Sequence, residues 1–173
     1  MSGPAEPREV LGDLELVRFV RELADSPAHW QGLVSPQSGV RVYETVWSDD
    51  HVNAWVICWP RGSDTGFHDH DNSAAAIVVL EGCVIEERLA LAGPPLGRRY
   101  GAGASVHLPA SAIHRVRHGG GEPALTIHAY SPPLRRQGVY RLASDGALER
   151  DAAPYTEELR APIGGLHAAA QAG

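Results

Sequence analysis

The run Phe67–Asp71 carries two histidines, His68 and His70, in the pattern His-x-His. In an extended strand, residues i and i+2 point to the same face, so both imidazoles project together and can reach one metal ion. Imidazole suits iron, zinc, copper and nickel, so the pair by itself does not select the metal. The same run also fits a polar strand end beside a glycine-rich turn. The pair alone therefore leaves both interpretations open.

Glycine, proline and a third histidine surround this pair at defined spacings. One block reads G-x5-H-x-H-x11-G from Gly62 onward, and the next reads G-x5-P-x4-H and ends at His114. These blocks resemble the paired motifs of the cupin superfamily, whose members are small double-stranded β-barrels with a metal in the mouth. The resemblance implies that His68, His70 and His114 are metal ligands. Ala75 stands where that superfamily has a glutamate ligand.

A set of three histidines without a carboxylate has chemical consequences. Neutral imidazoles leave a divalent metal with its full charge, whereas a triad of two histidines and one carboxylate cancels one unit. Such a site should favour an anionic group from the substrate, for which a thiolate is a strong candidate. Three ligands on one face of an octahedral ion also leave room for a bidentate substrate and O₂. The pattern thus admits an oxygenase that binds its substrate on the metal.

Three longer segments resemble the cysteine dioxygenase (thiol dioxygenase) family of cupins. They read HDHDNSAAAIVVLEG, AIHRV and ALTIHAYSPP, and the resemblance spans roughly residues 40–134. Members of this family hold non-haem Fe(II) on three histidines and add both atoms of O₂ to a thiol, which gives a sulfinic acid. The resemblance implies Fe(II) as the cofactor and a small-molecule thiol and O₂ as partners. L-cysteine is the first candidate substrate, and 3-mercaptopropionate or another small thiol is the alternative.

The same resemblance assigns roles beyond the metal ligands. Thr126, His128 and Tyr130 match a hydrogen-bonded relay, with threonine where the family usually has serine. Strand alternation places these three side chains on one face, as a relay requires. The resemblance therefore makes Tyr130 and His128 the candidate catalytic residues. Trp59 matches an aromatic residue that lines the substrate pocket, and the turn after Tyr130 is a plausible place for a cis proline bond.

Two positions depart from the family pattern. Some members form a thioether between a tyrosine and a cysteine five residues after the second histidine of the pair, but that position is Ala75. The arginine that binds the substrate carboxylate in the family falls near Val42 or Tyr43, and neither is basic. Arg41 is adjacent and is the predicted substrate-binding residue, since a guanidinium recognises a carboxylate in a bidentate way. L-cysteine is expected if Arg41 enters the pocket, and another small thiol if it does not.

The elements that must position these residues follow from periodicity. Apolar residues recur at helical spacing over Leu11–Ala24, with Asp13 as the expected N-cap and Pro27 as the stop. From Gly39 the pattern changes to short β-type runs. The sequence predicts a mainly β cupin double-stranded β-barrel (jelly roll) with a short N-terminal helical segment over residues 1–35, a barrel over 36–160 and a flexible tail over 161–173. The eight predicted strands are Val40–Trp47, Val52–Trp59, Ser73–Leu80, Cys83–Leu89, Ala104–Leu108, Ile113–His118, Ala124–Tyr130 and Val139–Leu142.

Composition narrows the classes of function further. The chain has 173 residues, a net charge of −6, nine histidines and 15 basic residues, all of them arginine. The acidic balance argues against nucleic acid as a partner, and no apolar run approaches the ~20 residues that span a bilayer. The N-terminus lacks the apolar segment of a signal peptide, and two cysteines make no disulfide framework. A cytoplasmic monomer or small homo-oligomer is expected.

Two other classes of function remain open. A metal-binding cupin that acts on a non-thiol substrate, such as a diketone dioxygenase or an isomerase, would leave the TIHAYSPP segment unexplained. A ligand-sensing module without catalysis would usually carry a DNA-binding domain, for which a single predicted domain leaves little room. Among the remaining features, the run Glu86-Glu87-Arg88 fits a solvated strand face, and His107 fits a residue of the barrel wall.

Overall fold

The computed structural model describes residues 10–35, 39–90, 93–145 and 147–154. In this part of the chain, an α-helix, α1 (Asp13–Ala24), and a short 3-10 helix (Pro27–His29) precede eleven strands. The predicted tail over 161–173 lies outside the described residues. The strands are β1 (Val42–Ser48), β2 (Asn53–Trp59), β3 (His68–Asp69), β4 (Ala74–Glu81), β5 (Cys83–Arg88), β6 (Leu96–Gly101), β7 (Ser105–Leu108), β8 (His114–His118), β9 (Ala124–Ser131), β10 (Arg136–Leu142) and β11 (Leu148–Pro154).

The strands form two antiparallel sheets that enclose a common core. One sheet has the order β1-β2-β9-β4-β7, and the other has the order β11-β10-β3-β8-β5-β6. Trp55 and Ile77 from the first sheet pack with Val84 and Val116 from the second. Alternate residues of each strand face this core, as the pleat requires. The predicted fold class, a mainly β cupin barrel, is confirmed.

Three strands, β3, β6 and β11, have no counterpart among the eight predicted strands, and β3 is only two residues long. The other two lie where the sequence predicts no strand: β6 begins at Leu96, and β11 begins at Leu148. Most side chains of both strands are exposed, so neither carries the apolar alternation that marks a half-buried strand. Each is held by backbone pairing to a single neighbour, β6 to β5 and β11 to β10. Backbone pairing of this kind does not require an apolar pattern in the local sequence, so the sequence does not predict it.

Helix α1 covers the outer face of the first sheet. Leu16, Val20 and Leu23 are buried on this helix and belong to a second core with residues such as Val56 and Ile127. The central strands β2 and β9 are therefore buried on both faces, and every residue of the two strands is buried. Full burial of each leucine stabilises the fold by about 1.5–3 kcal/mol. Nowhere in the described chain is a helix long and apolar enough to cross a membrane.

The start of α1 differs from the prediction by one residue. Gly12, rather than Asp13, is the N-cap, and its backbone N–H donates to the Glu15 carboxylate at 2.8 Å. Asp13 is the first residue of the helix, where its negative charge is favoured by the exposed N–H groups of the first turn. A glycine serves as an N-cap here because Glu15 supplies the hydrogen-bond acceptor from within the helix.

Gly82, which ends the first glycine–histidine block, lies between β4 and β5 with a φ of +66°. A Cβ there would lie 2.8 Å from the Ala124 Cα and 2.9 Å from the Pro123 carbonyl oxygen. Backbone strain and this collision together lead us to expect that Gly82→Ala lowers the free energy of unfolding by about 2–4 kcal/mol. Urea denaturation measures this change. Gly101→Ala is the matched control, because nothing lies within 4 Å of its added Cβ; equal losses in both variants would contradict the expectation.

Candidate metal centre

Two strands of the second sheet carry His68 and His114 of the predicted site, and His70 directly follows one of them. His68 lies in β3 directly opposite His114 of β8, so their side chains share a face of the antiparallel pair. His70 follows two residues after His68 and points to the same side. All three side chains are buried. The His-x-His pattern and the distant third histidine are thus brought to one place by the pairing of β3 with β8.

The nitrogen atoms of these histidines are close enough to bind one ion. One ligand nitrogen from each of His68, His70 and His114 lies within 4.8 Å of the others. The ring centroids are 4.5–5.1 Å apart, and the Nε2 atoms of His70 and His114 are separated by 3.3 Å. Nitrogen atoms that converge in this way are the arrangement by which imidazoles hold a divalent metal.

The hydrogen bond of His68 shows which of its nitrogens faces the cluster. Nδ1 of His68 lies 3.0 Å from the Gly66 carbonyl oxygen, which can only accept, so Nδ1 carries the proton. Nε2 of the neutral ring then keeps its lone pair. A backbone carbonyl that orients a histidine in this way is common around metal ligands. The donor set therefore fits a divalent transition metal with three neutral nitrogen ligands.

Asp69, between the two histidines of the His-x-His pair, ties the short strand β3 to the barrel. Its carboxylate accepts hydrogen bonds from Arg150 Nε at 2.7 Å, Arg150 Nη2 at 2.9 Å and the Tyr140 hydroxyl at 2.6 Å. The backbone N–H groups of Asp71 and Gly138 donate to it at 2.9 and 3.1 Å. A strand of two residues is thus held by contacts from β10 and β11 as well as by its own ladder.

Charge stabilises this arrangement at neutral pH. Burial by itself would raise the pKa of Asp69, but the hydrogen bonds from Arg150, Tyr140 and two backbone N–H groups outweigh it and hold the pKa well below its ordinary value. The same carboxylate keeps the pKa of Arg150 above its usual range. Asp69 is therefore ionised whenever the protein is folded near neutral pH, and the pairing with Arg150 is a permanent charged contact.

The residues of the predicted relay lie on β9 and face the barrel interior. The Tyr130 hydroxyl lies 3.2 Å from His128 Nδ1, and the Tyr130 ring lies edge-on to His70, with 4.9 Å between centroids. Thr126 accepts a hydrogen bond from the Trp59 indole N–H at 2.8 Å, a contact that the sequence does not indicate. The Trp59 ring also stacks on His128 at 5.7 Å. The structure therefore places all four side chains in one buried group next to the histidine cluster.

Arg41 lies at the outer end of this group. Its guanidinium carbon is 5.3 Å from the centre of the Trp59 ring, and its Nη1 donates to the Asp64 carbonyl oxygen at 3.1 Å. Arg41 and Asp64 also line a depression of about 190 Å³ at the protein surface. A series of contacts thus leads from Arg41 through Trp59 and His128 to Tyr130. These contacts place the Arg41 guanidinium at the Trp59 end of the buried group.

Ala75 occupies the position directly opposite Tyr130 on the neighbouring strand β4. This is the place that a cysteine would need for a thioether with the tyrosine. Both cysteines of the chain are free and buried elsewhere: Cys58 belongs to the outer core under α1, and Cys83 lies opposite Gly101. No thioether therefore holds the Tyr130 ring. The Ser131–Pro132 peptide bond that follows it is cis, as the sequence suggests.

Glu86 differs most from its sequence interpretation. The run Glu86-Glu87-Arg88 is not a solvated face throughout, because Glu86 is only 3% exposed. It points into the barrel on β5, two residues after the buried Val84, and its Oε1 lies 3.8 Å from His114 Nδ1. The alternation with Val84 is the signal that could have revealed it. A buried carboxylate therefore lies beside the histidine cluster, although no ligand position of the motif predicts one.

Solved structures with a similar fold cover more than half of this chain. The chain is similar to the TT1209 protein of Thermus thermophilus, with 21% identity, a TM-score of 0.51, and coverage of 58% of this chain and 91% of that one. It is also similar to an RmlC-like cupin family protein with a double-stranded β-helix fold from Methanocaldococcus jannaschii, with 18% identity, a TM-score of 0.48, and coverage of 57% and 86%. At identities this low, the likenesses concern the fold alone.

The family follows from a match over most of the amino-acid sequence. The family model for cysteine dioxygenase type I matches residues 13–141, or 129 of the 173 residues. The chain therefore belongs to the cysteine dioxygenase type I family. A comparison with curated proteins found no match. The matched region includes α1 and every residue of the histidine cluster and of the buried group around Tyr130.

Proposed function

We propose that this protein is a non-haem iron thiol dioxygenase that converts L-cysteine to cysteine sulfinic acid. The observation that carries the proposal is the cluster of three buried histidines inside the barrel of a chain of the cysteine dioxygenase type I family. His68, His70 and His114 would hold the Fe(II), and Nε2 of His68 is already oriented for it by the Gly66 carbonyl. Thiol and O₂ would be the two substrates.

The charge of the ligand set supports a thiol as substrate. Fe(II) on three neutral imidazoles would supply the redox chemistry that lets O₂ react with a thiolate. Because the three histidines contribute no negative charge, they would leave the full charge of a bound divalent ion available to the anionic form of the substrate. The reaction balances without a further reductant, since the sulfur gains both oxygen atoms and loses the electrons that O₂ takes up.

Tyr130 and His128 are the residues of the chain proposed to direct the reaction. The Tyr130 hydroxyl lies 3.2 Å from His128 Nδ1, so the imidazole can orient it and exchange a proton with it. The ring of Tyr130 contacts His70, which places the tyrosine next to the metal ligands. Burial of both side chains keeps bulk water away from this pair. Their proposed role is to hold a proton beside the oxygen that is transferred to sulfur.

Arg41 is the residue proposed to bind the substrate carboxylate. Its guanidinium carbon lies 5.3 Å from the centre of the Trp59 ring, and this cation–π contact helps to hold the guanidinium in place. In the described part of the chain, Trp59 and His128 connect it to the interior site. A cation held at this end of the site suits a substrate with a thiolate at one end and a carboxylate at the other, as in L-cysteine.

A panel of small thiols tests the proposed function. Anaerobically purified protein is loaded with Fe(II), and O₂ uptake and sulfinate formation are followed with L-cysteine, 3-mercaptopropionate and cysteamine. We expect O₂ consumption that matches sulfinate production, fastest with L-cysteine and slowest with cysteamine, which lacks the carboxylate. Fastest turnover of 3-mercaptopropionate would identify that acid as the substrate instead. The absence of thiol-dependent O₂ uptake by iron-loaded protein would overturn the proposal and favour a cupin with a non-thiol substrate.

Tyr130→Phe tests the proposed role of the tyrosine hydroxyl. Because the Tyr130 hydroxyl is not one of the proposed metal ligands, we expect the variant to bind as much iron as the unmodified protein. Its kcat is expected to fall by about tenfold to a hundredfold. Iron analysis and O₂ uptake on the same sample measure both quantities. Tyr100→Phe is the matched control, because Tyr100 packs against the same core from β6. Unchanged kcat in Tyr130→Phe would show that the hydroxyl takes no part.

A further inference from the structure

Glu86 is a buried acid for which the proposed reaction has no role. Its side chain is 4% exposed, and it faces the core from the middle of β5. Its partner in the ladder is Val116, and the next inward pair is Arg88 with His114. An ionised carboxylate inside a protein is costly unless charged or hydrogen-bonding partners compensate it. The neighbours of this carboxylate therefore indicate what it does.

Two groups lie against one carboxylate oxygen of Glu86. Arg88 Nε donates to Oε1 at 2.8 Å, and His114 Nδ1 lies 3.8 Å from the same atom. Arg88 also donates from Nη2 to the His107 carbonyl oxygen at 3.3 Å. The Arg88 side chain is 42% exposed, so solvent screens its charge, whereas the carboxylate is enclosed. The enclosed carboxylate oxygen therefore faces the Arg88 guanidinium on one side and the His114 ring on the other.

We propose that Glu86 is a positioning residue for the proposed metal site and acts through His114. Its carboxylate faces His114 Nδ1 at 3.8 Å and favours the ring form that carries its proton on Nδ1, which directs the Nε2 lone pair at the cluster, 3.3 Å from His70 Nε2. A metal held by His114 Nε2 would make the Nδ1–H a stronger hydrogen-bond donor toward this carboxylate. The inference rests on the proposed metal-binding function and adds a residue to it.

His68 supports this assignment, because its Nδ1 also faces an oxygen acceptor, although that acceptor is a neutral carbonyl. The Nδ1 of His68 donates to the carbonyl of Gly66, and the Nδ1 of His114 faces a carboxylate. A carboxylate makes the imidazole more basic than a carbonyl does. Glu86 also brings one negative charge close to a set of three neutral ligands. The motif has lost the glutamate that binds the metal directly, and Glu86 supplies negative charge from behind a histidine.

Metal affinity provides the test, with Co(II) and Fe(II) as probes under anaerobic conditions. The variants are Glu86→Gln, Glu86→Leu and the matched control Glu87→Gln. Glu87 lies on the opposite face of the same strand and pairs with Arg115 at 3.1 Å and Arg117 at 2.8 Å. We expect Kd for Co(II) to rise about 10–100-fold in Glu86→Leu, less in Glu86→Gln, and not in Glu87→Gln. The visible Co(II) spectrum, which reports the ligand geometry, should change in the Glu86 variants only.

The outcomes separate this inference from the proposed function. Failure of the unmodified protein to bind either metal overturns the proposed function, and the role of Glu86 with it. Metal binding by the unmodified protein together with unchanged affinity and spectrum in the Glu86 variants overturns the role of Glu86 alone. Thermal denaturation without metal shows which variants fold. Glu86→Gln, which keeps the shape of the side chain, decides the question if Glu86→Leu does not fold.

Discussion

Replacement of His114 by alanine is expected to abolish metal binding and thiol-dependent O₂ uptake together. His114 contributes one of three candidate ligand nitrogens, which lie within 4.8 Å of one another, and its ring is fully buried. The two histidines that remain belong to one short segment and can offer only two adjacent nitrogens. Among the described residues, no further histidine, cysteine or carboxylate completes that group. We expect metal affinity to fall by at least about a hundredfold.

The measurement combines metal analysis after gel filtration with O₂ uptake on L-cysteine. His107→Ala is the matched control, because His107 also lies on a barrel strand but its Nε2 faces Asp13, at 3.3 Å, on the outer side. The control should keep both metal and activity. Circular dichroism shows whether the His114→Ala chain is folded. A folded variant that retains metal and O₂ uptake would remove the three-histidine site from the proposal.

Asp69→Asn is expected to cause the largest loss of stability among single polar substitutions in this barrel. Asparagine keeps the size of the side chain, but its amide group would place donor hydrogens against the donors of Arg150. Arg150 would keep only the more distant Asp71 carboxylate, at 3.4 Å, as a counter-charge. Asp69 is 10% exposed and Arg150 is 35% exposed, so the loss is smaller than for a fully buried pair. We expect the free energy of unfolding to fall by about 2–4 kcal/mol.

Thermal and urea denaturation measure this change, and Asp151→Asn provides the comparison. Asp151 pairs with Arg141 across the same two strands, β10 and β11, but both side chains are more than half exposed. Exposed ion pairs contribute about 0–1 kcal/mol. Similar losses from the two substitutions would show that burial of the Asp69 pair has no special effect. The Asp69 variant should also bind metal more weakly, because β3 carries His68 and has only two paired residues.

Much of the site could be predicted from the sequence because strand alternation is a local property. A residue two positions along a strand points to the same side whatever the rest of the chain does. This is why His68 and His70, and likewise His128 and Tyr130, could be placed on common faces before their neighbours were known. The apolar periodicity of α1 and of the central strands is local in the same sense, since burial of one face demands it.

Pairing between distant segments could not be predicted in this way. The position of His114 opposite His68 depends on β3 and β8 becoming neighbours, and Asp69 meets Arg150 across 81 residues of sequence. Glu86 looked like part of a solvated face because the two residues after it, Glu87 and Arg88, are charged. Strands β6 and β11 have mostly exposed side chains and form through backbone pairing with one neighbour each. In each case the deciding contact lies outside the local sequence.

From the sequence by itself we could predict the family, the mainly β barrel and the three histidines that lie together in the fold. These predictions depend on residue types at defined spacings. Only the tertiary structure decided which groups surround the histidines. It placed the Gly66 carbonyl behind His68, the Glu86 carboxylate behind His114 and the cation of Arg41 over Trp59. The physical reason is that spacing records the faces of strands, whereas charge and hydrogen bonding at the site depend on which strands the fold makes neighbours.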